Sequence, residues 1–220
     1  MSLKTSYLIT AASAGLVAAA ATAGPLGLRL RRQHQAITHD PLTGLFNRAG
    51  FTRAIRSASP GMWLVAADCN RFKVVNDTLG HTAGDQVLQA LAARMRRLVA
   101  TTGVAGRFGG DEFVLLCSAE QLAAIGAGVL AVTATGADGQ AMPVTMAAGA
   151  TLFGPAEDFG VQLGRADAAS YRAKATGAPL AVFDPAADDH PATIQGDRPA
   201  VRVRDLDQWA TAHEVVEAVA

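Results

Sequence analysis

Hydrophobic positions recur at several spacings along this chain, and each spacing predicts a different element. Residues 62–67 form a continuous apolar run ending on Asp68, the pattern of a short buried strand. Residues 84–99 carry Val87, Leu88, Leu91, Met95, Leu98 and Val99, a stripe at helical spacing that predicts a core-facing helix. Residues 104–108 and 111–116 are strand-like runs on either side of Gly109-Gly110, which predicts a tight hairpin with positive φ at both glycines. Further strands are predicted over 144–152 and 181–183, and helices over 46–55, 122–132 and 161–176. Gly126 and Gly128 interrupt the second of these helices, and Gly177 stops the third at its C′ position. The polar stretch 70–85 predicts a loop between a strand and a helix. From Pro185 to the end, Asp, Pro and Ala dominate and predict a tail, with one short helix over 205–219. No internal repeat is present.

The N-terminus follows a different pattern. Residues 5–28 hold no charged side chain, and as a helix they would run ~36 Å against a hydrocarbon core of ~30 Å. The stretch is rich in Ala, with Leu8, Ile9, Leu16, Val17, Leu26 and Leu28 as its strong apolar residues, and Pro25 favours a kink near its end. Lys4 precedes it and Arg29, Arg31 and Arg32 follow it, which directs the downstream chain into the cytoplasm. Two other readings fit the same residues: a signal peptide cleaved near Ala21-Thr22-Ala23, and a soluble amphiphilic segment. Residues 29–37 read as a linker.

Composition narrows the function. Half of the 220 residues are hydrophobic, enough for a real core. Lys+Arg 19 balances Asp+Glu 19, which argues against a nucleic-acid binder held by bulk positive charge. Two cysteines exclude a disulfide-dense scaffold and a structural zinc site, and no histidines pair at HExxH spacing.

Acidic side chains then stand out by position. Asp68 closes a buried strand, and ligands of sheet proteins collect at strand ends. Asp111 and Glu112 follow the glycine pair of the hairpin. Brought together, these carboxylates suit Mg²⁺ on a phosphate substrate, because Mg²⁺ takes oxygen ligands and bridges phosphates. In the alternative, Asp68 caps the next turn and Asp111 and Glu112 merely solvate a hairpin. The stretch 70–85 adds Lys73, which suits phosphate, and Asn and Asp side chains able to read a purine edge. An acidic acceptor facing guanine N1–H and N2–H₂ selects guanine over adenine. The alternative for that stretch is a capping loop with Asp85 in the first turn of a helix.

These residues match a family in four ordered blocks. Gly109-Gly110-Asp111-Glu112-Phe113 is an unbroken GGDEF signature preceded by Arg107-Phe108. Asp40-Pro41-Leu42-Thr43-Gly44-Leu45-Phe46-Asn47-Arg48 resembles the DxLTGLxNR opening of GGDEF domains. Asp68-Cys69-Asn70-Arg71-Phe72-Lys73 with Asn76-Asp77, Gly80-His81 and Gly84-Asp85 resembles their DxDxFKxxND block, and Ala166-Asp167 with Tyr171-Arg172-Ala173-Lys174 their late helix. The resemblance spans residues 38–184 and leaves the N-terminal helix and residues 185–220 outside.

The resemblance implies an α/β (α+β) fold with a mostly antiparallel central sheet, similar to nucleotide cyclases and polymerase palms. It implies a diguanylate cyclase that condenses two GTP into cyclic di-GMP and releases two pyrophosphates. By motif, Asp68, the backbone carbonyl of Cys69 and Asp111 would hold Mg²⁺ or Mn²⁺. Asp111 would also activate the 3′-hydroxyl, and Glu112 would support the acidic cluster. Asn76, His81 and Asp85 would bind guanine, and Lys73 and Lys174 would meet the phosphates. One domain binds one GTP, so a homodimer is implied. GTP is cytoplasmic, which selects the membrane anchor: a single-pass protein of the cytoplasmic membrane with its GGDEF domain inside. The chain departs from the family at Asn70, at Ala178, where an Arg is usual after the glycine, and at residues 100–103, which lack the RxxD product-inhibition motif. The departure at Ala178 leaves a second possibility, a degenerate domain that binds GTP and signals by contact.

Overall fold

The apolar run becomes β1 (Trp63–Cys69), in which Leu64, Val65, Ala66 and Ala67 are all buried. The computed structural model describes residues 37–100 and 102–188. The expected spanning helix at 5–28 and the helix expected at 205–219 lie outside the described residues, and among those described no helix is long and apolar enough to cross a membrane. The strands that follow are β2 (Val104–Gly109), β3 (Glu112–Cys117), β4 (Val132–Thr135), β5 (Ala141–Val144), β6 (Met146–Leu152) and β7 (Leu180–Val182). Five of them form one sheet in the order β2-β3-β1-β6-β7. β1 runs antiparallel to β3 and to β6, β2 antiparallel to β3, and β6 parallel to β7. The central sheet is therefore mostly antiparallel, as expected.

Helices cover both faces, which is why the central strands are apolar on consecutive residues rather than on alternate ones. On one face α3 (His81–Leu98) buries Val87, Leu88, Leu91, Ala92 and Met95 against Val65, Ala67, Phe113 and Leu115. Fully burying a side chain such as Leu91 contributes about 2 kcal/mol. On the other face α1 (Arg48–Ala54) sets Phe51 against Leu64, Val114 and Leu116. Beside it α5 (Phe159–Thr176) lays Ala169 and Ala173 on Ala147 and Ala181. Small residues permit that approach: a Cβ on Gly149 would stand 2.0 Å from the Ala166 carbonyl oxygen and from the Ser170 amide nitrogen.

Several boundaries differ from the sequence reading. The polar stretch after β1 is not a loop but helix α2 (Phe72–Leu79), whose buried Val75 and half-buried Phe72 and Leu79 lie on one side. α3 begins at His81, three residues earlier than expected, because Gly80 (φ +84°) ends one helix and opens the next. The helix expected over 122–132 is α4 (Ala119–Gly126), started by a capping box between Ser118 and Gln121. Gly126 ends it rather than interrupting it, and Gly128 (φ +80°) lies beyond. The strand expected over 144–152 is two strands, and β4 and β5 form a separate hairpin. Only Gly110 of the glycine pair has positive φ (+45°), because the chain turns through Gly110 and Asp111 while Gly109 stays paired with Glu112. Past Pro185 the chain makes one more helical turn, α6 (Pro185–Asp188). It is tied down by Arg172, which donates from Nε and Nη2 to the two carboxylate oxygens of buried Asp188 at 2.7 and 2.9 Å.

Candidate active site

The antiparallel register of β1 and β3 sets Asp68 directly opposite Glu112, so the strand end and the signature turn meet at one end of the sheet's interior strands. Asp111 occupies the turn itself. Burial first, and then the neighbouring charge of Asp68, hold its carboxyl above its ordinary value. Asp68 is no helix cap: Arg71 precedes α2 in a left-handed conformation (φ +58°), and no side chain caps that helix. Lys174, in the last turn of α5, instead places its Nζ 2.5 Å from Asp68 Oδ1.

The corner after Asp68 is tightly made. The Asn70 amide donates to the Thr145 carbonyl and its Nδ2 to Thr145 Oγ1, each at 2.9 Å. Asn70 thus holds the strand end to the β5–β6 corner and is not available as a second acid. Burial, reinforced by the charges of Asp111 and Asp68, raises the Cys69 thiol out of the titrating range, so only its backbone carbonyl is a ligand candidate. Burial likewise pushes Cys117 up to about 12, and both thiols are free and unreactive.

The other half of the expected site lies at the α2–α3 junction. Asn76 Oδ1 occupies the space a side chain at residue 84 would need, 2.0 Å from the position of its Cβ. Gly84 thereby lets Asn76 lie beside the backbone that carries Asp85. Asp85 is exposed and sits in the second turn of α3, too far along to serve as the first-turn dipole partner. His81 is exposed at the first position of α3, and Lys73 is exposed in the first turn of α2.

A guanidinium that was not among the expected site residues supports the turn. Arg107 donates from Nε and Nη2 to the Gly110 carbonyl at 2.9 and 2.7 Å, and from Nη1 to both Asp40 oxygens at 3.0 and 3.1 Å. Asp40 is itself fixed by the Thr43 amide at 2.8 Å and the Thr43 hydroxyl at 2.6 Å. Burial alone would raise the Asp40 carboxyl, but these hydrogen bonds outweigh it and hold the group below its ordinary value. Phe108 is the unpaired residue of a β-bulge between Arg107 and Gly109, and its ring packs edge-on to Phe51. The turn that carries Asp111 is therefore held from both sides.

Residues 37–179 match the family described as "Diguanylate cyclase, GGDEF domain". The chain belongs to the GGDEF-domain family. Diguanylate cyclase DgcP of Pseudomonas aeruginosa is 37% identical to it over 162 residues, 67% of this chain and 24% of that protein. Diguanylate cyclase DgcZ of Escherichia coli is 34% identical over 156 residues, 66% of this chain and 52% of that protein. The chain thus spans from about a quarter to about half the length of these relatives. The coiled coil and GGDEF domain of DgcB from Caulobacter crescentus, solved in complex with c-di-GMP, superposes with a TM-score of 0.64. It shares 26% identity and covers 77% of this chain and 98% of that one.

The GGDEF domain can be tested for a metal by its donors. Two carboxylates meet at the site, the charge of Asp68 makes that of Asp111 costlier, and Lys174 pairs with Asp68. Among the described residues no group of three or more His, Cys, Asp or Glu side chains converges as a complete cation cage. Two hard oxygen donors without a cage suit Mg²⁺ or Mn²⁺, which complete their shells with phosphate oxygens and water. The GGDEF residues therefore fit such an ion. Asp40 and Arg107 are the positions that spacing alone could not assign, since they meet from 67 residues apart. A charged residue inside an otherwise apolar strand, next to the glycine pair, was the available signal.

Proposed function

We propose that this domain is a diguanylate cyclase that condenses two GTP into cyclic di-GMP with release of two pyrophosphates. The observation that carries the reading is Asp111 of the intact GGDEF signature: a half-buried carboxylate in a turn clamped by Arg107, raised by burial and by the neighbouring Asp68. A base so raised is better matched to taking a proton from the 3′-hydroxyl than an ordinary solvated carboxylate. Asp68, Asp111 and the Cys69 carbonyl would hold Mg²⁺ or Mn²⁺, with Glu112 in support. The ion would supply charge neutralisation on the triphosphate. Asn76 and Asp85, with His81 beside them, read the guanine edge by its donor pattern. Lys73 and Lys174 offset phosphate charge as pyrophosphate departs.

Each domain carries one set of these residues and the product joins two nucleotides, so two copies face each other in the active state. The uncharged segment at 5–28 and the arginines after it support a single-pass anchor in the cytoplasmic membrane. Such an anchor raises the effective concentration of the two copies. A second reading rests on Ala178, which follows the Gly177 cap and offers phosphate no guanidinium. In that reading the domain binds GTP and signals by contact without turnover.

Incubating the full chain with GTP and Mg²⁺ and resolving the products by mass spectrometry separates the two. Cyclic di-GMP and pyrophosphate in a ratio of one to two support the cyclase. Tight GTP binding with no product supports the contact-signalling domain.

A further inference from the structure

Lys174 has two claims on it. Its Nζ lies 2.5 Å from Asp68 Oδ1, with the lysine side chain 48% exposed and that of Asp68 only 18% exposed. The same ammonium is the group assigned above to phosphate, and the same carboxylate is the one assigned to the divalent ion. A divalent charge on Asp68 would repel the ammonium and a triphosphate would draw it away, so both roles compete with the ion pair. α5 is seated closely on β6, where a Cβ on Gly149 would stand 2.0 Å from the Ala166 carbonyl oxygen and the Ser170 amide nitrogen. The four-carbon lysine stem is flexible and half in solvent, so its rotation suffices for the exchange.

We propose that Lys174 is a resident counter-ion that couples cation binding to triphosphate binding. This rests on Asp68 being a metal ligand. Without a ligand, Lys174 neutralises Asp68 and relieves its repulsion with Asp111. A divalent ion at Asp68 displaces the ammonium, and a triphosphate draws it away. Each event alone breaks the same ion pair, whereas together they break it once. The cost is shared, so each ligand tightens the other, and by linkage the two effects are equal. A partly exposed ion pair contributes up to about fivefold to such a coupling.

Calorimetric titration of the full chain with Mn²⁺, without nucleotide, tests this directly. Lys174→Met keeps the stem and removes the charge, and it should bind Mn²⁺ about fivefold tighter than wild type. Lys174→Arg keeps the charge and should stay closer to wild type than Lys174→Met does. The factor by which Mn²⁺ tightens a non-hydrolysable GTP analogue should fall about fivefold in Lys174→Met, although both proteins still bind the analogue. Melting curves check folding, and Lys174→Gln serves if the methionine variant does not fold. Mn²⁺ binding in the uncharged variant that is no tighter than wild type, or no Mn²⁺ binding by either protein, would overturn the proposal. Tighter Mn²⁺ binding in Lys174→Met beside a complete lack of cyclic di-GMP synthesis by the wild-type protein would leave the counter-ion in place and remove only the cyclase reading.

Discussion

The two halves of the site are built differently. Asp68, Asp111, Arg107, Asp40 and Lys174 form a charged assembly at one end of the sheet: Asp68 and Arg107 stand on strands, Asp111 in the turn between β2 and β3, Asp40 in the loop before α1 and Lys174 on α5, with ion pairs joining Arg107 to Asp40 and Lys174 to Asp68. Lys73, Asn76, His81 and Asp85 stand on two consecutive helices joined at Gly80, and Lys73, His81 and Asp85 are exposed. Apart from the pair of Lys174 and Asp68, which yields to ligands under the counter-ion proposal, the sheet end is organised before any ligand arrives, as stabilisation of a developing charge would require. The helical end presents donors and acceptors whose partners come with the ligand. Under the proposed function, chemistry and recognition are separable in this domain, and variants should fall on one side or the other.

The largest effect is expected at the sheet end. Asp111→Ala should lower cyclic di-GMP formation by about a thousandfold or more, with an unchanged circular dichroism spectrum, because under the proposed function it removes both a metal ligand and the base. Arg107→Ala should lower kcat by about a hundredfold while KM for GTP moves much less, since the turn loses its clamp and Asp111 its position. Arg107→Lys should recover little of that loss, because an ammonium lacks the planar fork whose separate nitrogens reach the Gly110 carbonyl and the Asp40 carboxylate at once.

At the helical end, Gly84→Ala should raise KM for GTP by about tenfold with kcat nearly kept. The new methyl forces Asn76 aside, and the melting temperature should not fall, because the group that must yield is the tip of a side chain. The smallest effect concerns pH. Asp40 titrates below its ordinary value of 3.8 when folded, so its stabilisation is present above the unfolded value and is lost as pH falls through the folded one. Asp40→Asn should therefore be less stable than wild type at neutral pH by about 1 kcal/mol, with the difference shrinking in urea titrations near pH 3.

Much of this was legible in the residues. The apolar run ending at Asp68, the paired runs around Gly109-Gly110, and the helix closed by Gly177 each carry a local signal, and the structure keeps all three. Helix α2 was hidden because Asn70, Asn76, Asp77 and Gly80 give the stretch a turn-like composition. Only Phe72, Val75 and Leu79 mark its buried side, and tertiary packing against α3 outweighs composition there. The β4–β5 hairpin was hidden by strands of four residues, one of them carrying Pro143. The clamp between Arg107 and Asp40 depends on two segments meeting in space, and no spacing along the chain encodes it. Lys174 was assigned to phosphate from its motif. Its contact with Asp68 became visible only when α5 was seated on β6.

The separation of chemistry from recognition is tested most directly by measuring kcat and KM for GTP in Arg107→Ala and Gly84→Ala side by side with wild type. A crossed pattern is expected, in which the first variant loses kcat with KM nearly held and the second gains KM with kcat nearly held. Both variants shifting the same parameter, or Gly84→Ala losing as much kcat as Arg107→Ala, would contradict it.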